Sequence, residues 1–229
     1  MASSKDEHQM AKSLKQKNQP QLITFIVSNV VALGVSAFGL PHFVDLLQQL
    51  SKGDWRILGK LVAVPTFLTL ITGIIGWAMP RTAKEFLVFW KARNCLPSSR
   101  AFTSIAPRDP RIDIQRLTNS YGPIPEKPDQ QTALWYRIYR GHRDDASVED
   151  AHGAYLRFRE MTTLICVLVL IYVPWATYFG IGLKQLFAGF LLLLVEYLVV
   201  MIAARNAATR LVLNVLAIDS ATSTVRTSE

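Results

Sequence analysis

Glu196 makes the strongest chemical demand in this chain, because it is the only charged side chain in the run Leu186–Ala204, LFAGFLLLLVEYLVVMIAA. A carboxylate in so apolar a stretch is costly, and it faces either a bundle interior or an aqueous cavity, where it can attract a cation, hold a proton or accept a hydrogen bond. Its depth follows from helical rise. Glu196 stands eight residues before Ala204, about 12 Å at 1.5 Å per residue. Asn29 stands eight residues after Gln21, and Thr72, counted back from Met79, falls near the same depth. Asn29, Thr72 and Glu196 are therefore candidates for one polar layer. That layer has two readings. In one, Glu196 is a pore-facing or gating carboxylate. In the other it is protonated or hydrogen-bonded to Asn29 and locks helices together, as polar side chains do between membrane helices.

A second pattern lies in QQTALWYRIYRGHRDD, where Trp135, Tyr136 and Tyr139 alternate with Arg137, Arg140, His142 and Arg143. Aromatic faces with cations between them suit nucleotides and single-stranded nucleic acid, whose bases stack and whose phosphates pair. The competing reading is an amphipathic helix, with Trp135, Ile138 and Tyr139 inward and the arginines facing solvent or lipid headgroups. Further on, His142, Asp144, Asp145, Glu149, Asp150 and His152 gather metal-ligating types. Their spacing fits no ligand pattern, and acidic residues at a helix start are stabilised by its dipole, so a capped helix start is expected and no metal. No nucleophile–base arrangement stands out. The sequence thus predicts no catalytic residue, no enzyme activity and no cofactor.

The elements that must position these residues are set by composition. Half of the 229 residues are hydrophobic, and they fall in four runs of the length that crosses about 30 Å of hydrocarbon as helix: Gln21–Leu40, Leu61–Met79, Thr162–Gly180 and Leu186–Ala204. The first lacks the small-residue cleavage site of a removable leader. The expected fold is an all-α membrane protein with four transmembrane helices. Lys5, Lys12, Lys15 and Lys17 precede the first run, Arg81 and Lys84 follow the second, Arg157 and Arg159 precede the third, and Arg205 and Arg210 follow the fourth. By the positive-inside rule those ends are cytosolic. Both termini then lie inside, which also gives the net charge of +8 a first use before any nucleic acid is invoked. Cys95 and Cys166 fall in different environments and predict no disulfide.

The chain divides accordingly into a cytosolic N-terminal tail (1–20), two transmembrane helices (21–79), a basic cytosolic segment (80–161), two more transmembrane helices (162–204) and a cytosolic C-terminal helix and tail (205–229). Within the basic segment, RTAKEFLVFWKARNC reads as an extension of the second helix, with Phe86, Phe89 and Trp90 on one face. Pro97–Pro128 is rich in proline and turn residues and reads as an ordered loop. Helix resumes near Ser147, with Asp150 completing a capping-box variant, and runs into the third apolar run. ARNAATRLVLNVLA continues the fourth helix, with Leu211, Val215 and Ile218 at helical spacing.

In layout, the few membrane helices, the basic cytosolic module and helical extensions such as RFREM and ARNAATRLVLNVLA resemble the small multi-pass membrane effectors of bacterial anti-phage defence, in particular the Hailong-type membrane effector. The resemblance implies an inner-membrane, homo-oligomeric pore, a single-stranded DNA or nucleotide ligand at the cytosolic face, and a nucleotidyltransferase encoded in the same operon. It carries over no functional residue. A membrane anchor or scaffold recruiting a soluble partner is the competing class, in which Glu196 is structural.

Overall fold

The computed structural model describes residues 2–39, 44–45, 48–49, 51–52, 64–178 and 180–222, and among these it is helical with no strand. The principal helices are α1 (Ala2–Phe38), α2 (Val64–Ala78), α3 (Arg81–Phe89), α4 (Ile114–Tyr121), α5 (Pro128–His142), α6 (Ala146–Tyr178) and α7 (Leu183–Thr222). Three described helical stretches, Lys17–Ser36, Ala146–Tyr178 and Leu183–Thr222, are long and apolar enough to cross a membrane. The expected second span is described only from Val64, as the 15 residues of α2, and Leu61, Val62 and Ala63 lie outside the described residues. Most of the connecting segment 41–60 lies outside them too.

Two compact units share α6 and α7: Met1–Pro80 with Glu160–Val200, and Arg81–Arg159 with Met201–Glu229. In the first, α1 packs on α2. Ile26, Asn29, Val30 and Leu33 form the buried stripe of α1, at the three- and four-residue steps of a helix face. From α6, Leu164, Ile165, Leu168, Tyr172 and Ala176 are buried, and from α7, Leu193 and Val200. Gly76 lets α2 come close to α6, since a Cβ there would meet Leu164 Cδ2 at 3.0 Å. The turn into α7 closes at Gly180, whose φ of +65° is open to glycine at little steric cost, and Ile181 N–H donates to Ala176 O at 3.0 Å.

The second unit has a conventional apolar interior. Phe102, Ile112, Leu117, Ile138, Tyr139, Val148, Leu211, Val212, Val215 and Leu216 form one buried cluster, and Val88, Phe89, Ala154, Tyr155, Ala204, Ala207 and Ala208 form another. The spacing expected for Leu211, Val215 and Ile218 is realised: the first two are buried and Ile218 packs against the same core.

Three expectations need correction. The helix through the second run does not extend through RTAKEFLVFWKARNC. It ends at Ala78 and α3 starts afresh at Arg81, because Pro80 has no N–H for the carbonyl of Gly76 and disfavours helical backbone at Met79. Phe86, Phe89 and Trp90 do not share a face either. Phe89 is buried, whereas Phe86 and Trp90 are exposed, and Trp90 leaves the helix with φ +54°. Pro97–Pro128, expected as a loop, holds a 3-10 turn at Pro97–Arg100, a π turn at Ala101–Ile105 and the helix α4. Asp113 makes that helix, accepting a hydrogen bond from the N–H of Arg116 at 3.1 Å as its N-cap. The helix expected from Ser147 begins at Ala146 and runs to Tyr178 without a break.

Candidate functional site

In the first unit α7 carries Glu196 and α1 carries Asn29, and the equal-depth count brings them together. Asn29 Nδ2 donates to Glu196 Oε1 at 3.0 Å and to Phe25 O at 3.0 Å. Asn29 is buried and Glu196 is half-buried. The pair sits in a groove of about 440 Å³, lined also by Gln21, Thr24, Ser28 and Met161. Thr72 is fully buried, and its hydroxyl makes no hydrogen bond among the described residues, so the hydrogen bond joins two members of the expected layer and does not include the third.

The groove's polar lining is the part that sequence inspection passed over. Gln21, Thr24 and Ser28 fall on one face of α1 and all three are exposed. Thr24 relieves part of this by donating its hydroxyl to Pro20 O at 3.0 Å. Hydroxyl groups exposed on an apolar span call for water or another polar surface, since hydrocarbon offers no hydrogen bonds. Chemically the groove offers acceptors: a carboxylate with one oxygen held by an amide, beside hydroxyls that can bind water or a cation.

In the second unit α5 carries the aromatic–basic segment, and most of its aromatic surface is engaged inside the fold. Trp135 stacks on Tyr139 with ring centroids 5.3 Å apart, and Tyr136 is tilted to Tyr139 at 6.1 Å. Tyr139 is buried, and its hydroxyl shares a 3.0 Å hydrogen bond with His152 Nδ1. Trp135 and Tyr136 are partly buried against the main core. Arg137 lies over the Tyr121 ring at 5.3 Å and Arg140 over the Tyr136 ring at 5.5 Å, both exposed. Arg143 sits 3.6 Å from Asp144. The geometry is that of an amphipathic helix with a cationic outer side.

His142 is placed differently. Its Nδ1 meets Asp145 Oδ2 at 3.1 Å and its Nε2 meets Asp219 Oδ1 at 3.0 Å, while the Tyr121 hydroxyl donates to the same Asp219 oxygen at 2.8 Å. Asp219 is buried. Of the cluster of metal-ligating types, His142 and Asp145 pair with each other and His152 turns to Tyr139. Among the described residues no three such side chains converge.

Gln131 and Asp219 carry interactions that the sequence did not single out. Gln131 is buried inside the first turn of α5; its Oε1 accepts from the N–H groups of Phe102 at 3.2 Å and Thr103 at 3.4 Å, and its Nε2 donates to Glu126 O at 3.0 Å. It satisfies the π turn's irregular backbone. Asp219 pairs with Tyr121 across 98 residues of chain, a separation at which no local pattern signals contact. No family model, no curated protein and no solved structure matches this chain.

Proposed function

We propose that this chain is a multi-pass membrane protein with four spans and cytosolic termini, and that it acts as a homo-oligomeric channel or membrane-permeabilising effector whose conducting path runs along the groove at Glu196. The observation that carries this reading is the groove itself. It sets a half-buried carboxylate beside polar side chains of α1 that are exposed on apolar helices. Such a face is tolerated where it borders water or another polar protein surface. Further copies arranged around a central axis would supply both.

The proposal extends to regulation. α6 and α7 each continue from the first unit into the second without a break, and an anionic nucleotide or single-stranded oligonucleotide gates the pore if it binds the open and closed states unequally. With the rings of Trp135 and Tyr139 stacked on each other, the contact would fall to Arg137, Arg140 and Arg143. A role in bacterial anti-phage defence, at the inner membrane and with an operon-encoded nucleotidyltransferase as partner, belongs to the same proposal and rests on layout alone.

Reconstitution into liposomes with a fluorescent reporter of ion flux tests the reading. Wild-type protein is expected to conduct, and Glu196→Gln, which keeps an acceptor for Asn29, is expected to change conductance while leaving assembly intact. A monomeric protein that carries no flux, with or without short oligonucleotides, would sink it. The Asn29–Glu196 hydrogen bond favours a second reading, a non-conducting anchor in which the pair locks α1 to α7. In that case Glu196→Gln leaves partner recruitment unchanged.

A further inference from the structure

At the C-terminal end of α3 the second unit exposes two large aromatic side chains, Phe86 at 48% and Trp90 at 56%, on a helix whose other side is buried through Val88 and Phe89. Trp90 also carries an unusual backbone. Its φ of +54° lies in the left-handed region, which a residue with a bulky side chain rarely adopts. The strain is held in place by Arg205. Its Nε donates to Val88 O at 2.7 Å, and its guanidinium lies 5.2 Å from the centroid of the Trp90 ring. The Trp90 ring is thus more than half exposed while Arg205 holds one of its faces.

The surrounding charge is one-sided. Residues 81–93 contain Arg81, Lys84, Lys91 and Arg93 against the single acid Glu85, and that acid already pairs with Arg81 at 2.6 Å. Lys91 and Arg93 are both exposed and directly follow Trp90. Only Met79 and Pro80 separate α3 from the apolar helix α2. Arg205 is likewise the first cation after the apolar run of α7. Tryptophan with neighbouring lysine and arginine is the combination that settles at headgroup level, the ring among the carbonyls and the cations on phosphate.

We infer that the turn Phe86–Arg93, carrying Phe86, Trp90, Lys91 and Arg93, is an interfacial anchor that binds the headgroups of anionic phospholipids in the cytosolic leaflet. The inference rests on the membrane orientation proposed above. It adds to that reading a lipid site distinct from the groove at Glu196. Each cation near the surface of an anionic leaflet is worth about 1 kcal/mol, or roughly fivefold in preference over a neutral lipid.

The test is tryptophan quenching in liposomes by phospholipids brominated near the headgroup, comparing phosphatidylcholine with phosphatidylglycerol carrying the same bromines. The wild-type chain should be quenched more strongly by the anionic lipid. Trp90→Phe should remove that excess, and Lys91→Gln/Arg93→Gln should remove most of it while keeping the ring. Equal quenching by the two lipids, or an excess that persists in both variants, overturns the anchor. Trp77 and Trp175 lie within the proposed spans, so their quenching continues if the anchor alone is wrong. Loss of all quenching overturns the membrane reading itself, and the anchor with it.

Discussion

Helix α7 obeys opposite rules along its length. Between Phe187 and Val199 its outward positions are apolar: Phe187 and Val199 are each 62% exposed and Val195 is 53% exposed. Between Arg205 and Leu216 the large apolar residues turn inward, with Val215 and Leu216 fully buried, while Asn206 and Arg210 face out. One continuous helix is apolar outside in the first unit and apolar inside in the second. An apolar exterior suits hydrocarbon surroundings and a polar exterior suits water, so the change is the one expected of a helix that passes from a bilayer into water. The lesson is that burial alone misjudges a membrane helix: the exposed leucines of the first unit are as much in their preferred medium as the buried ones of the second.

The comparison is most open to challenge through paired truncations. Leu216→Ala should cost about 2–5 kcal/mol, as for a leucine in a packed core, whereas Leu191→Ala on the outward face should change stability by well under 1 kcal/mol because it opens no cavity. Thermal unfolding in detergent followed by circular dichroism measures both, and equal losses would erase the distinction. The next largest effect belongs to Gln131→Leu. It leaves the Phe102 and Thr103 N–H groups and the Glu126 carbonyl without their amide partner, at a cost of about 2–4 kcal/mol. Hydrogen exchange at 102 and 103 should rise with it.

In the first unit, Gly189→Ala should cost about 1–3 kcal/mol, because a Cβ there collides with the Tyr172 ring, whose hydroxyl donates to Gln185 O at 3.2 Å. Gly34→Ala, with nothing within 4 Å of its Cβ, is the control expected to fold as wild type. The smallest effect is an acid one in the second unit. The hydrogen bonds from Arg111 hold the Asp109 carboxyl below its usual range. Its contribution is therefore present above about pH 4, the ordinary aspartate value, and is lost as pH falls through the depressed one. Asp109→Asn should flatten that part of an acid titration.

Much of this was legible in the sequence where a local rule operates. Three of the four apolar runs lie in described helices long and apolar enough to cross a membrane, and counting helical rise from Ala204 and Gln21 placed Glu196 opposite Asn29. For Thr72 the count gave depth alone, and its buried hydroxyl makes no hydrogen bond to the pair, because equal depth says nothing about which way a side chain faces around its helix. Sequence inspection read through Pro80 because the apolar–aromatic pattern on either side is continuous, whereas the backbone obeys the missing N–H. Pro97–Pro128 looked like a loop from its prolines, yet Asp113 caps a helix within it. The aromatic–basic segment offered two readings that share one composition, and only the stacking of Trp135 on Tyr139 tells which rings are already occupied.

Cys95 gives the chain a property of another kind, chemical quietness. Burial and the neighbouring Glu85 carboxylate push its thiol pKa up, and the thiolate is the species that attacks disulfides and alkylating reagents. A raised pKa leaves less thiolate at neutral pH, so the thiol on the turn that follows α3 is expected to react more slowly with alkylating reagents than a fully exposed cysteine. The same inertness has a practical side: a reporter cysteine placed at an exposed position of the second unit should be labelled against a low background, with Cys95 left in place to keep the fold undisturbed.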